Sequence, residues 1–367
     1  MFSIIQGDDY PLVYYLLVLF LTIIIIGRYS NYNQSHLSVT HRRFSLVYLL
    51  LTVFFILFIG MRPINGVSFV DMPAYNAYYL KRMGDSFTFD WNTENRIFDN
   101  LILFLASLRV SAVSFFIIIA AIYFGGISLT CSLLFDKDKM ASFIVYLGAF
   151  STLAYSTNGI KAGAAAALFL VALAFNKNGK WLLAVLFLFL SWGFHHSMVL
   201  PVVAFFICKI IKNPRFYLVL WMVAFVLAAF HMTFIQHFFA TFVDEQGATY
   251  LLGNEVHVRR DIMGGFRIDF ILYSFAPLFI GWLAMLKNAR LSKDYLFLLN
   301  LYTLTNSVWL LCMYAEFTNR IAYLSWFMFP IVLIYPLLKE KWGKQQFQTF
   351  TWVAFGHLAF TLILQLV

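Results

Sequence analysis

A chain of 367 residues that is 62% hydrophobic and only 12% charged carries about half the charge of an average soluble protein, which excludes a water-soluble globular fold. Its net charge of +9 has no basic soluble module behind it, so no nucleic-acid partner is expected. Cys131, Cys208 and Cys312 fall in separate apolar runs without metal-ligand spacing, which argues against both a disulfide framework and a cysteine metal site.

In chain order, apolar runs suited to crossing roughly 30 Å of hydrocarbon fall near residues 11–27, 44–60, 112–135, 140–157, 160–176, 180–195, 197–211, 216–243, 266–286, 294–315, 320–338 and 347–366. The expected fold is therefore all-α: a polytopic membrane protein with about twelve transmembrane helices, one integral membrane domain over residues 1–367. The first run lacks a basic leader and a small-residue cleavage site, so it reads as a retained helix.

Charge fixes the expected orientation. With the N-terminus outside, the short loops 28–43, 136–139, 177–180, 209–215, 287–293 and 339–344 are cytoplasmic and hold 16 of the 26 Lys and Arg residues, as the positive-inside rule requires. The opposite face holds the other ten, of which eight are arginine: Arg62, Arg82, Arg96, Arg109, Arg259, Arg260, Arg267 and Arg320. Guanidinium recognises phosphate and carboxylate through a bidentate fork that ammonium lacks. As a set these arginines favour an anionic ligand outside, with Arg62, Arg267 and Arg320 converging on it; taken singly, each can instead snorkel or pair with an acid.

The longest outer loop opens with "MRPINGVSFVDMPAYNAYYLKRM". Pro73 lies in the first turn of a helix that Asp71 starts, and Asp71 is either its cap or a functional acid. Tyr75, Tyr78, Tyr79 and Arg82 then recur at helical spacing, an aromatic face suited to the membrane interface or to sugar rings. "RIFDNLILFLASLRVS" is apolar but too short to span, so an interfacial or half-spanning helix is expected there.

"YSTNGIKAGAAAAL" breaks an apolar stretch at Asn158 and Lys161. Such a corner is a polar concavity whose N–H groups favour anions, or else a tight helical hairpin. "DEQGATYLLGNEVHVRRDIMGGFRIDF" supplies Arg259 and Arg260, then Arg267 and Asp269 at a helix start. In "AEFTNRIAYLSWF", Glu316 and Arg320 stand at i, i+4 on one expected helical face, with Tyr323 three residues on; an ion pair within the helix is the simpler account.

"SWGFHHSMVLP" sets His195 and His196 at the outer end of an apolar helix. An imidazole there can act as general base near neutral pH without a metal, or be a hydrogen-bonded helix end. Adjacent helical residues point about 100° apart, so at most one of the two is expected to face a site. No His, Asp or Glu stands at zinc-ligand spacing, so no metal and no cofactor is expected.

Together "MRPINGVSFVDMPAY", "NGIKAG", "HHS", "FRIDF" and "NRIAY" resemble, in order and spacing over residues 62–323, the EpsG family of Wzy-like polymerases of bacterial exopolysaccharide and O-antigen. Lys161 and Ala162 depart from the Arg-Gln usual there, and the Gly66–Asp71 interval is longer than usual. The resemblance implies a multi-pass enzyme of the bacterial inner membrane with its active site facing the periplasm or exterior. It would transfer a growing glycan from undecaprenyl pyrophosphate to a sugar hydroxyl of a lipid-linked repeat unit. His195, or failing it Asp71, would be the base. Arg62, Tyr75, Asn158, Lys161, Ser197, Arg259, Arg260, Arg267, Asp269, Glu316, Arg320 and Tyr323 would bind substrate. Membrane lipid, a chain-length regulator and a flippase are the implied partners. The competing readings are a flippase or exporter of lipid-linked glycan, and a multi-span glycosyltransferase or O-acyltransferase acting on surface glycan.

Overall fold

A computed structural model describes residues 5–30, 41–240, 265–288 and 290–366. Among these the chain is helical and contains no strand. By contact it forms two compact units: residues 1–199, 337–339 and 344–367, and residues 200–336 with 340–343.

In the first unit, α1 (Tyr10–Ser30), α2 (His41–Gly60), α5 (Ala112–Phe135), α8 (Ile160–Lys177), α9 (Trp181–Phe194) and the C-terminal α17 (Gln346–Leu366) are the long helices. At the centre α8 packs against both α5 and α9. Its sequence explains why. Gly163 and Ala164 to Ala167 carry nothing larger than a methyl group and are all buried, so neighbouring helices approach closely. A Cβ on Gly126 of α5 would lie 3.0 Å from the Ala167 methyl. On the other side the Ser191 hydroxyl donates to the Ala165 carbonyl at 2.7 Å, joining α9 to α8.

The apolar run 140–157 is not one helix. It divides into α6 (Lys139–Leu147) and α7 (Phe150–Thr157). A helix end leaves carbonyls without intrahelical partners, and in apolar surroundings each must be satisfied from within the protein. Tyr14 donates to the Leu147 carbonyl at 2.7 Å and Thr152 to that of Tyr146 at 2.7 Å. At the far end of α7 the Thr157 carbonyl accepts from the Arg62 guanidinium at 2.8 Å.

Two short helices follow α2: α3 (Met72–Lys81) and the amphipathic α4 (Arg96–Ser107). Phe98, Ile102 and Leu105 of α4 face inward, whereas Phe104 stays exposed. The tyrosine face of α3 divides between packing and surface. Tyr79 is buried, stacks on Phe115 at 4.8 Å and donates to the Val110 carbonyl at 2.8 Å. Tyr78 is exposed beneath Arg82.

The second unit holds most of α10 (Val199–Ile210), then α11 (Pro214–Ala229), α12 (Phe234–Ala240), α13 (Ile268–Lys287), α14 (Lys293–Leu311), α15 (Thr318–Trp326) and most of α16 (Phe329–Lys339). The long run 216–243 breaks after α11, where His231 takes a positive φ of 56° and Tyr314 donates to the Ala228 carbonyl at 2.9 Å. Asn306 is the unit's polar knot: it accepts from the Trp221 indole at 2.8 Å and donates to the Ser274 and Ser325 hydroxyls.

Each of the twelve apolar runs contains helix, but six helical stretches among the described residues are long and apolar enough to cross a membrane: Gly7–Ser30, Ala112–Leu147, Ile160–Lys177, Ile268–Lys287, Thr318–Lys339 and Gln346–Gln365. The others are shortened by breaks, such as those at His195 and His231, or carry more polar groups, as α14 does with Asn300, Thr303, Thr305, Asn306 and Ser307.

The crossing of α7 over α8 yields a first prediction. A Cβ on Gly163 would collide with the Tyr155 carbonyl oxygen, which is backbone and cannot rotate away. Gly163→Ala should therefore destabilise the protein by roughly 1–3 kcal/mol, whereas Gly125→Ala, where a Cβ meets nothing within 4 Å, should be neutral or stabilising. Thermal unfolding of both variants in the same detergent is the measurement.

Candidate functional site

The end of α9, the start of α8 and the start of α4 meet in the first unit. Their meeting depends on a glycine. At Gly193, in the last turn of α9, a Cβ would strike the Ile97 side chain. Its absence lets the first turn of α4 lie against α9, with Phe98 edge-on to Phe194 at 6.0 Å. Asn95, the residue before α4, is thereby buried against the two histidines.

The histidines do not continue the helix. His195 is extended (φ −152°, ψ 118°), and a short 3₁₀ turn over His196–Met198 follows. The Asn95 side-chain oxygen takes the contacts of both residues. It accepts the His196 backbone N–H at 3.1 Å and lies 3.1 Å from the His195 Nδ1 and 3.3 Å from the His196 Nδ1. The two rings stand edge to face, 5.2 Å apart. His195 is half-buried, and the exposed His196 reaches Glu94 at 3.5 Å. An ion pair so exposed contributes little.

Asp99, one turn into α4, accepts a backbone hydrogen bond from Asn95 and feels the positive charge of Lys161 on the first turn of α8. Burial pushes the Asp99 carboxyl above the usual carboxylate range, with Lys161 and the Asn95 N–H opposing. Ser197 is half-buried in the 3₁₀ turn. Asn158 ends α7, and its side-chain oxygen is buried without a hydrogen-bond partner among the described residues.

Arg62 is used differently from a ligand-facing arginine. It is 4% exposed, and it donates to the Ile59 carbonyl at 2.7 Å and the Thr157 carbonyl at 2.8 Å. Its guanidinium lies 5.4 Å from the ring centres of both Phe69 and Phe116. Carbonyl dipoles and aromatic faces thus disperse its charge, and burial lowers its pKa. Asp71 precedes α3 but makes no side-chain cap; its half-buried carboxylate has no hydrogen-bond or ion-pair partner among the described residues. Tyr75 packs edge-on to Phe98 at 6.1 Å.

The remaining candidates belong to the second unit and are described within it. Arg267 is paired with Asp269 at 2.6 Å and lies over the Phe270 ring at 3.7 Å. Glu316 and Arg320 do not share a helical face, because α15 starts only at Thr318 and Phe317 takes a left-handed φ of 51°. Arg320 is exposed, with its guanidinium 4.7 Å from the Phe317 ring, and makes no ion pair among the described residues. Tyr323 is buried on the same helix. Arg259 and Arg260 lie outside the described residues. Among the described residues, no three His, Cys, Asp or Glu side chains come together as a metal site needs.

Sequence reasoning missed Glu94, Asn95 and Asp99. "TENRIFDN" did carry a signal, since an Asn followed by Asp in the first turn marks a helix start. The Asn95 side chain is not a cap, however; it binds the histidine turn instead.

What fold and site define is an all-helical integral membrane protein with a polar cluster where broken helix ends meet. The family model for the EpsG family matches residues 45–366, and the chain belongs to that family of exopolysaccharide polymerase-like membrane proteins. No curated protein and no solved structure matches it.

The Asp99 environment gives a second prediction. A carboxyl whose folded-state pKa is raised destabilises the fold once ionised, so stability falls as pH rises through the unfolded and then the folded pKa. Asp99→Asn should raise the melting temperature at pH 8. That gain should vanish as the pH is lowered below the carboxylate range, where the wild-type group is neutral too. A lower melting temperature than wild type at pH 8 would mean that the Lys161 interaction outweighs the burial.

Proposed function

We propose that this protein is a polysaccharide polymerase on the outer face of the bacterial cytoplasmic membrane, crossing it about twelve times with the N-terminus outside. Membership of the EpsG family and the Lys and Arg bias of the loops support this reading. The observation that carries it furthest is the His195 ring held against Asn95, at a helix end on the side that the charge pattern assigns to the exterior.

The donor is a growing glycan on undecaprenyl pyrophosphate, and the acceptor is a sugar hydroxyl of a lipid-linked repeat unit. The bond between the donor's anomeric carbon and the pyrophosphate oxygen breaks, and its electron pair leaves with the pyrophosphate. The acceptor oxygen forms the new glycosidic bond, and its proton passes to the His195 imidazole. General-base assistance of this kind is worth about 10²–10⁴-fold. Charge developing on the leaving pyrophosphate calls for preorganised cations. In the first unit Lys161 serves that role. Taken within the second unit by itself, Arg320 is a separate candidate for phosphate contact, exposed and paired with no carboxylate among the described residues.

His195→Ala should abolish polymer while folded protein and lipid-linked single repeats accumulate; extraction and sizing of the glycan from cells carrying the variant reads this out. His196→Ala should be milder. Near-normal polymer from His195→Ala together with none from Asp71→Asn would transfer the role of base to Asp71. Loss of surface repeats altogether from a deletion strain would favour a flippase. Arg320→Lys should reduce polymer at least tenfold if a bidentate fork is needed; unchanged polymer length and amount would remove Arg320 from phosphate recognition.

A further inference from the structure

Between α3 and α4 runs a segment that the proposed reaction does not use, "GDSFTFDWNTEN" over residues 84–95. Phe87, Phe89 and Trp91 recur at every second position, with Ser86, Thr88, Asp90 and Asn92 interleaved. These rings stay at the surface: Trp91 is 70% exposed, and Phe87 and Phe89 are each 43% exposed. The Phe89 and Trp91 ring centres lie 4.5 Å apart with their planes tilted by 54°, so the pair presents an angled aromatic surface.

The backbone that carries the rings is held against α4. Near one end the Gly84 N–H donates to the Ala106 carbonyl at 2.9 Å. Toward the other the buried Asn100 amide grips Asp90 twice, accepting its N–H at 2.8 Å and donating to its carbonyl at 2.9 Å. Between these anchors Phe87 packs edge-on to Phe104 at 5.6 Å. A ligand that settles on a surface already fixed in this way loses little to ordering it.

Two observations say what that ligand is. The first is charge. Asp85, Asp90 and Glu94 are the only charged residues between Arg82 and Arg96. Carboxylates repel phosphate, which disfavours both lipid headgroups and a carrier pyrophosphate; segments that lie in a membrane surface carry Lys and Arg instead. A neutral sugar ring suits both features, since its C–H face lies against an aromatic ring and its hydroxyls donate to carboxylates. The second is continuity with the polar cluster. The segment ends at Asn95, whose side-chain oxygen accepts the His196 N–H, and Glu94 reaches the His196 Nδ1 at 3.5 Å. Trp91 stands four residues before Asn95, a reach of at most about 14 Å, so the rings lie within a few sugar units of the histidine turn.

We propose that Phe89 and Trp91 form a glycan-binding subsite of the first unit, which holds neutral sugar rings of the growing chain beside the histidine turn. The identity of the chain rests on the polymerase reading; the rings, their anchoring and the charge around them do not. A glycan retained there between additions keeps a high local concentration near the cluster, so the subsite favours longer polymer.

The test reads binding first. Full-length protein with all nine tryptophans replaced by 5-fluorotryptophan is placed in lipid nanodiscs, and the Trp91 resonance is assigned by its loss from the ¹⁹F NMR spectrum of Trp91→Phe. Oligosaccharide fragments cut from the producing strain's extracellular polysaccharide should shift that resonance, and inorganic pyrophosphate should not. In Phe89→Ala the fragments should bind roughly 2–10-fold more weakly, the loss that one aromatic contact carries. Absence of a shift with the fragments, or an equal shift with pyrophosphate, would overturn the subsite. So would broadening of the Trp91 resonance by nitroxide-labelled lipid to the extent seen for tryptophans of the apolar helices, which would make the rings a membrane anchor. In cells, Trp91→Ala should shorten the polymer and Trp91→Tyr, which keeps a ring, should restore its length; equal lengths from Trp91→Ala and wild type would remove the retention role. Fragment binding by a chain whose deletion leaves polymer intact would sink the polymerase reading and leave the glycan subsite standing.

Discussion

In a chain with so few polar side chains, every break in a helix strands backbone groups that apolar surroundings cannot satisfy, and the architecture is organised around supplying partners for them. Tyr14 and Thr152 serve the carbonyls where α6 gives way to α7. Arg62 serves the ends of α2 and α7 together. Tyr314 serves the end of α11. Asn95 serves the turn that follows α9. An unsatisfied amide or carbonyl in such surroundings costs several kcal/mol, so these few side chains decide where helices can end.

That requirement gives a physical account of why the polar cluster around His195 sits where it does. A continuous transmembrane helix offers only its side chains, and most of those must be apolar. A broken one exposes N–H groups and carbonyls, bends its axis and brings polar side chains to a defined point. The His195 turn is such a place: Gly193 admits α4, α4 delivers Asn95, and the small-residue start of α8 brings Lys161 to the same end of the unit. Arg62, in contrast, is committed to holding helices. Burial against carbonyls separates Arg62 from the exposed Arg320.

Asp99 illustrates a related compromise. Its carboxyl is held in a partly buried position where ionisation is disfavoured, near a lysine at a helix start. Polar groups kept in positions that do not favour the fold are commonly those that function requires, and this one sits beside the histidine turn rather than in a packing layer.

Much was legible in the sequence because much of it is local. Apolar run length marks helices one segment at a time, so all twelve runs contain helix, and the Asp71–Pro73 signal located α3 at Met72–Lys81. The motifs that resemble the EpsG family lie within the matched residues 45–366. The breaks inside 140–157 and 216–243 were hidden because hydropathy does not register a stranded carbonyl whose partner lies elsewhere in the chain. The inward turn of Arg62 depends on Thr157, 95 residues away, and Asn95, which meets His195, stands 100 residues earlier. Hydrophobicity is a property each residue carries with it, so the sequence by itself determined a helical membrane protein of this family and set two histidines at a helix end. A hydrogen bond is directional and needs its partner within about 3 Å, so the meeting of Asn95 with the histidine turn was decided only when α4 packed onto α9.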